Sequence, residues 1–71
     1  MKRKPRKDPA PGDVIEYQCG DLRNTHTVKK VENSTVYYVD EGLRDYVSIE
    51  KWRSWYVGRR GVKILAVGAN D

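Results

Sequence analysis

This chain of 71 residues has one cysteine, one histidine and no phenylalanine. The scarcity of the first two excludes several kinds of structural and catalytic site. The single cysteine, Cys19, excludes a disulfide within a monomer, and one histidine, His26, leaves too few ligands for a zinc site. No third group stands where it would orient a Cys–His pair, so no catalytic residue, metal or cofactor is assigned. His26 is expected to be an exposed or hydrogen-bonded strand residue. The protein is predicted not to be an enzyme.

Long apolar segments are also missing from the sequence. No run approaches the ~20 apolar residues that cross a bilayer, and the basic N-terminus is not followed by the apolar stretch of a signal peptide. A lone cysteine fits a reducing compartment, and we expect Cys19 to be a small core residue rather than a reactive thiol. The expectation is a cytoplasmic protein with no membrane partner.

The net charge of +4 is distributed unevenly. Residues 1–12 contain five basic residues and one acidic residue, whereas residues 13–71 contain nine of each. With three prolines and almost nothing apolar to bury, residues 1–12 are predicted to form a disordered basic arm. One domain is then expected over residues 13–68, followed by a frayed C-terminus at residues 69–71.

Short runs of β-type residues, separated by turn residues, fill the chain after the arm. Their alternation predicts strands at 14–19, 25–31, 35–39, 44–47 and 62–67. Val28 and Val31 are three positions apart, which breaks strict alternation and predicts a β-bulge in the second strand.

The two adjacent tyrosines of the third strand must point to opposite faces of a sheet. Either Tyr37 and Val39 face outward, or Val36 and Tyr38 do. The outward aromatic residue would either provide a surface platform or only cap an edge of the core. The sequence leaves these two arrangements open.

A short helix is predicted over residues 49–57, directly before the last strand. Ser48 is a good N-cap, apolar residues recur at helical spacing after it, and Gly58 can end the helix in the left-handed conformation. We expect Trp52 to lie in the core and Trp55 to be partly exposed, because a domain of this size has limited room for two indoles.

This element order, carried by the segments GDVIEYQ, HTVKKVENSTVYYVDEG and YVSIEKW, resembles the SH3-like barrel superfamily, including Tudor-, KOW- and chromo-type modules. The segments are also similar to small barrel proteins of bacteriophages and other mobile genomes. The resemblance spans roughly residues 12–67. It implies a mostly β fold, a five-stranded SH3-like barrel with one short helix before the last strand, but it names no ligand.

Basic and aromatic side chains are the candidate binding residues. Arginine and lysine contact phosphates, and exposed tyrosine and tryptophan rings stack on bases. The predicted nucleic-acid-binding residues are Lys2, Arg3, Lys4, Arg6, Lys7, Lys29, Lys30, Tyr37, Arg53, Trp55, Arg59, Arg60 and Lys63. They predict a small non-catalytic module that binds DNA or RNA through the arm and a basic, aromatic surface of the barrel.

A protein–protein interaction module is the alternative function. Residues 13–71 carry no net charge, and tyrosine, tryptophan and arginine dominate the hot spots of protein interfaces. Such a module, for example from a bacteriophage or mobile element, would dock on a host protein and modulate it. In either case the chain is expected to be a monomer or a weak homo-oligomer that pairs through open strand edges.

Overall fold

The computed structural model describes residues 4–68 of the chain, apart from the side chain of Cys19. The predicted roles of Lys2 and Arg3, the frayed end at 69–71 and the core position of the Cys19 side chain therefore lie outside the described residues.

Five strands and one helix make up the fold after Asp13. Their bounds are β1 Val14–Cys19, β2 Leu22–Glu32, β3 Thr35–Asp40, β4 Leu43–Ser48, α1 Ile49–Tyr56 and β5 Val62–Ala66. The mostly β class and the single short helix before the last strand are confirmed. Nowhere in residues 4–68 does a helix have the length and hydrophobicity needed to cross a membrane.

All five strands belong to one antiparallel sheet, in the order β4-β3-β2-β1-β5. Strands β4 and β5 are therefore its two edges. Two-residue turns join β2 to β3 at Asn33-Ser34 and β3 to β4 at Glu41-Gly42, and all four of these residues have positive φ. Two positive φ values in succession give the turn whose twist matches that of the flanking strands.

A bulge in β2 decides which side chains face the core. Val28 pairs with Tyr38 and Lys30 pairs with Tyr37, so Lys29 has no partner in β3. The extra residue places Val28 and Val31 on the same, inner face, which confirms the predicted bulge.

The core lies between the inner face of the sheet and α1. Its buried residues are Ile15, Val28, Val36, Tyr38, Val47, Trp52, Tyr56 and Val62. Trp52 is fully buried and Trp55 is half-buried, as predicted. Ser48 caps the helix by accepting a hydrogen bond from the Lys51 amide at 3.2 Å, and Gly58 follows the helix with φ of 74°.

Residues 4–12 pack against the body of the protein, in contrast to the disordered arm predicted from the sequence. Pro5 and Pro9 are buried, and the Pro5 carbonyl accepts a hydrogen bond from the Trp52 indole at 3.1 Å. The prolines, taken above as a sign of disorder, include the two rings that are buried. A proline ring can be buried without leaving an amide N–H unpaired, and the body supplies the donors that the carbonyls need.

Charged side chains hold the same segment in place. The Arg6 guanidinium donates to the Val62 carbonyl at 3.0 Å, on edge strand β5. Arg53 donates to the Lys7 carbonyl at 2.8 Å and lies 3.3 Å from the carboxylate of Asp8. Part of the arm's positive charge is thus engaged with the protein's own backbone.

Asp13 connects the arm to two other parts of the fold. Its carboxylate is completely buried and accepts hydrogen bonds from the amides of Ala10 at 2.9 Å and Gly68 at 2.6 Å. Its backbone carbonyl accepts from the Val28 amide at 2.9 Å. The amides of residues 10 and 68 therefore meet at the side chain of Asp13, and that of residue 28 at its backbone carbonyl.

Candidate nucleic-acid interface and the His26 pocket

The outward side of β2, β3 and β4 carries a pair of exposed aromatic rings. Tyr37 and Tyr46 are directly paired across β3 and β4, with ring centroids 5.9 Å apart, and are 39% and 67% exposed. Tyr38, next to Tyr37, is buried in the core. Of the two arrangements left open by the sequence, the one with Tyr37 outward is therefore the one adopted.

Basic side chains surround the two rings. Lys29, Lys30 and Arg44 line a shallow cavity of about 440 Å³ beside Tyr37, and the Lys30 ammonium lies 5.3 Å from the centre of the Tyr37 ring. We call this set (Lys29, Lys30, Tyr37, Arg44 and Tyr46) the outer face. The bulge contributes to it, because both lysines are exposed.

Acidic groups partly offset the positive charge of the outer face. The Glu32 carboxylate lies 2.7 Å from the Lys30 ammonium, and this hydrogen bond and its charge raise the pKa of Lys30. Asp45 lines the same cavity as Lys29 and Arg44. Among residues 4–68, no carboxylate lies as close to Lys29 or Arg44, so these two cations are the ones best placed to meet an anionic ligand.

Arg44 and Tyr46 were missing from the sequence-based site. The signal for them was present, because a two-residue turn at 41–42 fixes the β3–β4 register and places Tyr46 opposite Tyr37. Alternation then puts Arg44 on the same side as Tyr46. Reading the turn before the strand would have identified both residues.

A second feature, which we call the His26 pocket, opens near the end of the sheet where the 20–21 and 41–42 turns lie. Its volume is about 370 Å³. Its rings belong to Tyr17, Tyr38, Trp55 and Tyr56, and its polar groups to Asn24, His26, Asp40 and Arg59. The inner side of the sheet contributes Tyr38 and Asp40, so the pocket and the outer face lie on opposite sides of β3.

His26 bridges two side chains inside this pocket. Its Nδ1 is hydrogen-bonded to the Tyr56 hydroxyl, and its Nε2 lies 3.3 Å from Oδ2 of Asp40. Burial lowers the pKa of His26, and this outweighs the opposing influence of the Asp40 carboxylate. A neutral ring with its proton on Nε2 donates to Asp40 and accepts from Tyr56, so one tautomer satisfies both contacts.

The order carboxylate, imidazole, hydroxyl is also that of a nucleophilic triad. Tyr56, however, is 2% exposed, and burial raises the pKa of its phenol strongly. A phenol held neutral in this way is a hydrogen-bond donor rather than an activated nucleophile. The arrangement fixes the ring of His26, with the Tyr38 ring packed at a centroid distance of 4.6 Å.

The predicted binding residues are divided among several places. Trp55 and Arg59 share the His26 pocket, and Lys29, Lys30 and Tyr37 share the outer face. Lys4, Arg6 and Lys7 line a third cavity against Val57, Gly58, Ile64 and Val67. Arg53 is engaged with the arm, and Arg60 and Lys63 are exposed near β5. The structure does not bring all of them onto one surface.

No protein-family model matches the chain, and searches of curated proteins and of solved structures find no match. Within the described side chains, no group of three or more histidine, cysteine, aspartate or glutamate residues is arranged to hold a metal ion.

Proposed function

We propose that the protein is a non-catalytic module that binds nucleic acid through its outer face. The observation that carries the proposal is the exposed pair Tyr37–Tyr46 flanked by the cations Lys29, Lys30 and Arg44. Stacking of a base on an aromatic ring is worth ~1–3 kcal/mol and is tolerant of sequence. Lysine and arginine beside the rings would neutralise the phosphates between the stacked bases.

Single-stranded DNA or RNA is the form of nucleic acid that this arrangement favours. Exposed rings on a sheet surface stack on unpaired bases, because the faces of paired bases are already stacked within a duplex. We further propose that the sheet curves into an SH3-like barrel, since its five strands and the helix between β4 and β5 follow the element order that the resemblance implies.

A titration of labelled single strands at two salt concentrations tests the proposal. The full chain should bind dT and U oligonucleotides, and the double variant Tyr37→Ala/Tyr46→Ala should bind them about tenfold or more weakly. Lys29→Ala/Arg44→Ala should weaken binding and reduce the slope of log affinity against log salt by about 1.4, because two phosphate contacts are lost.

A charge-matched variant provides the control. Arg60→Ala/Lys63→Ala removes two cations away from the outer face and should change affinity much less than Lys29→Ala/Arg44→Ala. If the control pair weakens binding more, the interface lies near β5 and the outer-face proposal fails. Absence of binding at low salt would reject nucleic acid as the ligand.

Protein docking is the second candidate function, and the exposure of two leucines favours it. Leu22 and Leu43 are 71% and 74% exposed and adjoin the turns at the His26-pocket end of the sheet. A pull-down from nuclease-treated lysate with the wild type and with Leu22→Ser/Leu43→Ser separates the candidates. A partner that survives nuclease and is lost in the double variant supports docking over nucleic-acid binding.

A further inference from the structure

The third cavity, which we call the arm cavity, lies between the arm and the body of the protein and has a volume of about 680 Å³. Residues 4–7 form its arm side. Its body side consists of Val57 and Gly58, which follow α1, and of Ile64 and Val67, in and just after β5. The arm cavity shares no lining residue with the outer face or with the His26 pocket, so it is a separate place for a ligand.

The arm side of this cavity carries positive charge only. Its ionisable residues are Lys4, Arg6 and Lys7, and no acidic residue of the described chain lines the cavity. The partly buried Arg6 guanidinium donates to the carbonyls of Arg59 and Val62, at 3.5 and 3.0 Å, which are uncharged acceptors. Within the described part of the chain, no carboxylate is paired with any of the three cations. A cleft lined by one sign of charge attracts a ligand of the opposite sign.

The body side of the cavity is apolar. Val57 and Val67 are 51% and 47% exposed, and Ile64 is half-buried. A simple anion would meet the cations but leave this apolar surface in water, whereas covering it is favourable in proportion to its area. None of the described residues that line the cavity is aromatic, so a nucleobase would find no ring on which to stack. A ligand with an aliphatic chain and a negative charge at one end matches both sides.

We propose that the arm cavity binds a monomeric aliphatic carboxylate of the fatty-acid class. The chain packs against Val57, Ile64 and Val67, and the carboxylate accepts hydrogen bonds from the cations of the arm. The volume of the cavity lies within the ~300–1,000 Å³ typical of small-ligand sites. The inference goes beyond the proposed function, because the outer face meets bases and phosphates through other residues.

Titration of the full chain with octanoate, below the concentration at which it forms micelles and followed by amide and methyl NMR signals, tests the proposal. Octanoate should bind about tenfold or more tightly than butyrate, since each buried methylene contributes about fourfold in affinity. Octylammonium has the same chain and the opposite charge, and it should bind about tenfold or more weakly than octanoate. Equal affinities for octanoate and butyrate would show a simple anion site. Equal affinities for octanoate and octylammonium would show apolar contact without charge recognition, and either result would overturn the proposal.

Two surface variants test the apolar side of the cavity. Val67→Ser should weaken octanoate binding about fivefold, because methyl groups that contact the chain are lost. Leu65→Ser is the matched control, since Leu65 is 52% exposed but does not line the cavity, and it should leave the affinity unchanged. Equal effects of the two variants would contradict the assigned position of the chain.

Two double variants test the charged side in the same way. Lys4→Gln/Lys7→Gln removes two cations of the cavity and should weaken octanoate binding, whereas Lys51→Gln/Lys63→Gln removes the same charge from exposed positions elsewhere. If both pairs weaken binding equally, the net charge of the protein alone attracts the ligand, and the proposal fails.

Because the arm forms one side of the cavity, bound octanoate should also hold the arm in place. Hydrogen exchange at the Lys7 and Asp8 amides, which close the turn of the arm, should slow in saturating octanoate. Unchanged exchange there would place the ligand away from the arm and contradict the proposal. Vesicles of phosphatidylcholine with and without phosphatidylserine provide the last comparison. Binding to the anionic vesicles without saturable binding of octanoate would indicate a membrane surface and overturn the monomeric ligand.

Discussion

His26 occupies an environment that on balance favours its neutral protonation state. Its ring contacts Tyr38, Trp52, Trp55 and Tyr56, with centroids 4.6 to 6.0 Å away. Burial is the dominant influence and lowers its pKa below the ordinary value of 6.5, although Asp40 and Asp45 act in the opposite direction. The folded protein therefore prefers the neutral ring more strongly than the unfolded chain does.

Stability should consequently depend on pH through this residue. Because the pKa is lower in the folded state, the unfolded chain binds more protons below pH ~6.5. The stability contributed by neutral His26 is complete above that pH and is lost as the pH falls toward the folded pKa. Urea unfolding of the wild type should show a free energy of unfolding that declines as the pH is lowered from about 7 to below ~6.5.

The variant His26→Gln is the control for that measurement. Glutamine retains one donor and one acceptor but does not titrate, so its free energy of unfolding should be flatter over the same range. Asp40 and Asp45 are present in both proteins, so the difference between the two curves isolates the histidine. A difference that does not change with pH would contradict the assignment of a lowered pKa.

At the scale of elements, the arm is a hydrogen-bonded segment packed against the body, although its composition is that of a charged, disordered tail. Its turn is closed by hydrogen bonds from the Lys7 and Asp8 amides to the Lys4 carbonyl, at 3.0 and 2.7 Å. The Trp52 indole fixes the same segment through Pro5. The turn is thus anchored to the buried side of α1.

Trp52→Phe should loosen the arm without removing the ring from the core. Loss of the indole donor leaves the Pro5 carbonyl unpaired, and the smaller ring leaves a void, which together should cost about 1–3 kcal/mol. Hydrogen exchange at the Lys7 and Asp8 amides should accelerate more than exchange in β1 to β4. Trp55→Phe, which alters a half-buried indole away from Pro5, should leave arm exchange unchanged. Arm amides that exchange without protection in the wild type would contradict the packed arrangement.

The elements themselves could be predicted from the sequence, whereas the contacts between distant parts could not. Alternation, turn residues and the Ser48 cap are local signals, and they located all five strands, α1 and the bulge. The bond between Trp52 and Pro5 joins residues 47 positions apart, and that between His26 and Tyr56 joins residues 30 apart. No local pattern encodes such pairs, so the packed arm and the His26 pocket became visible only in the folded chain.

At the scale of the whole molecule, one face of the sheet lines the core and the other is exposed. Tyr38 is 7% exposed and Tyr37 is 39% exposed, although the two residues are adjacent. Tyr38→Ala should cost ~3–5 kcal/mol, as for other buried aromatic residues. Tyr37→Ala should cost less than ~1 kcal/mol, since only a cross-strand pair is lost.

Chemical denaturation of the two single variants measures this contrast. Similar losses in both would show that the outer face is needed for folding, and binding data from Tyr37→Ala/Tyr46→Ala would then need a correction for unfolded protein. A large loss only in Tyr38→Ala leaves the outer-face variants as clean probes of function.

The unpaired position of Lys29 has a consequence for how this sequence can diverge. Deletion of the Lys29 codon would place Val28 directly before Lys30, and β2 would then pair with β3 without a bulge. Val28 and Val31 would still face the core. Deletion of most other residues of β2 would instead shift the register by one, so that the following side chains would point to the opposite face of the sheet. One cation of the outer face can therefore be gained or lost by an insertion or deletion, while the inward positions of Val28 and Val31 stay the same.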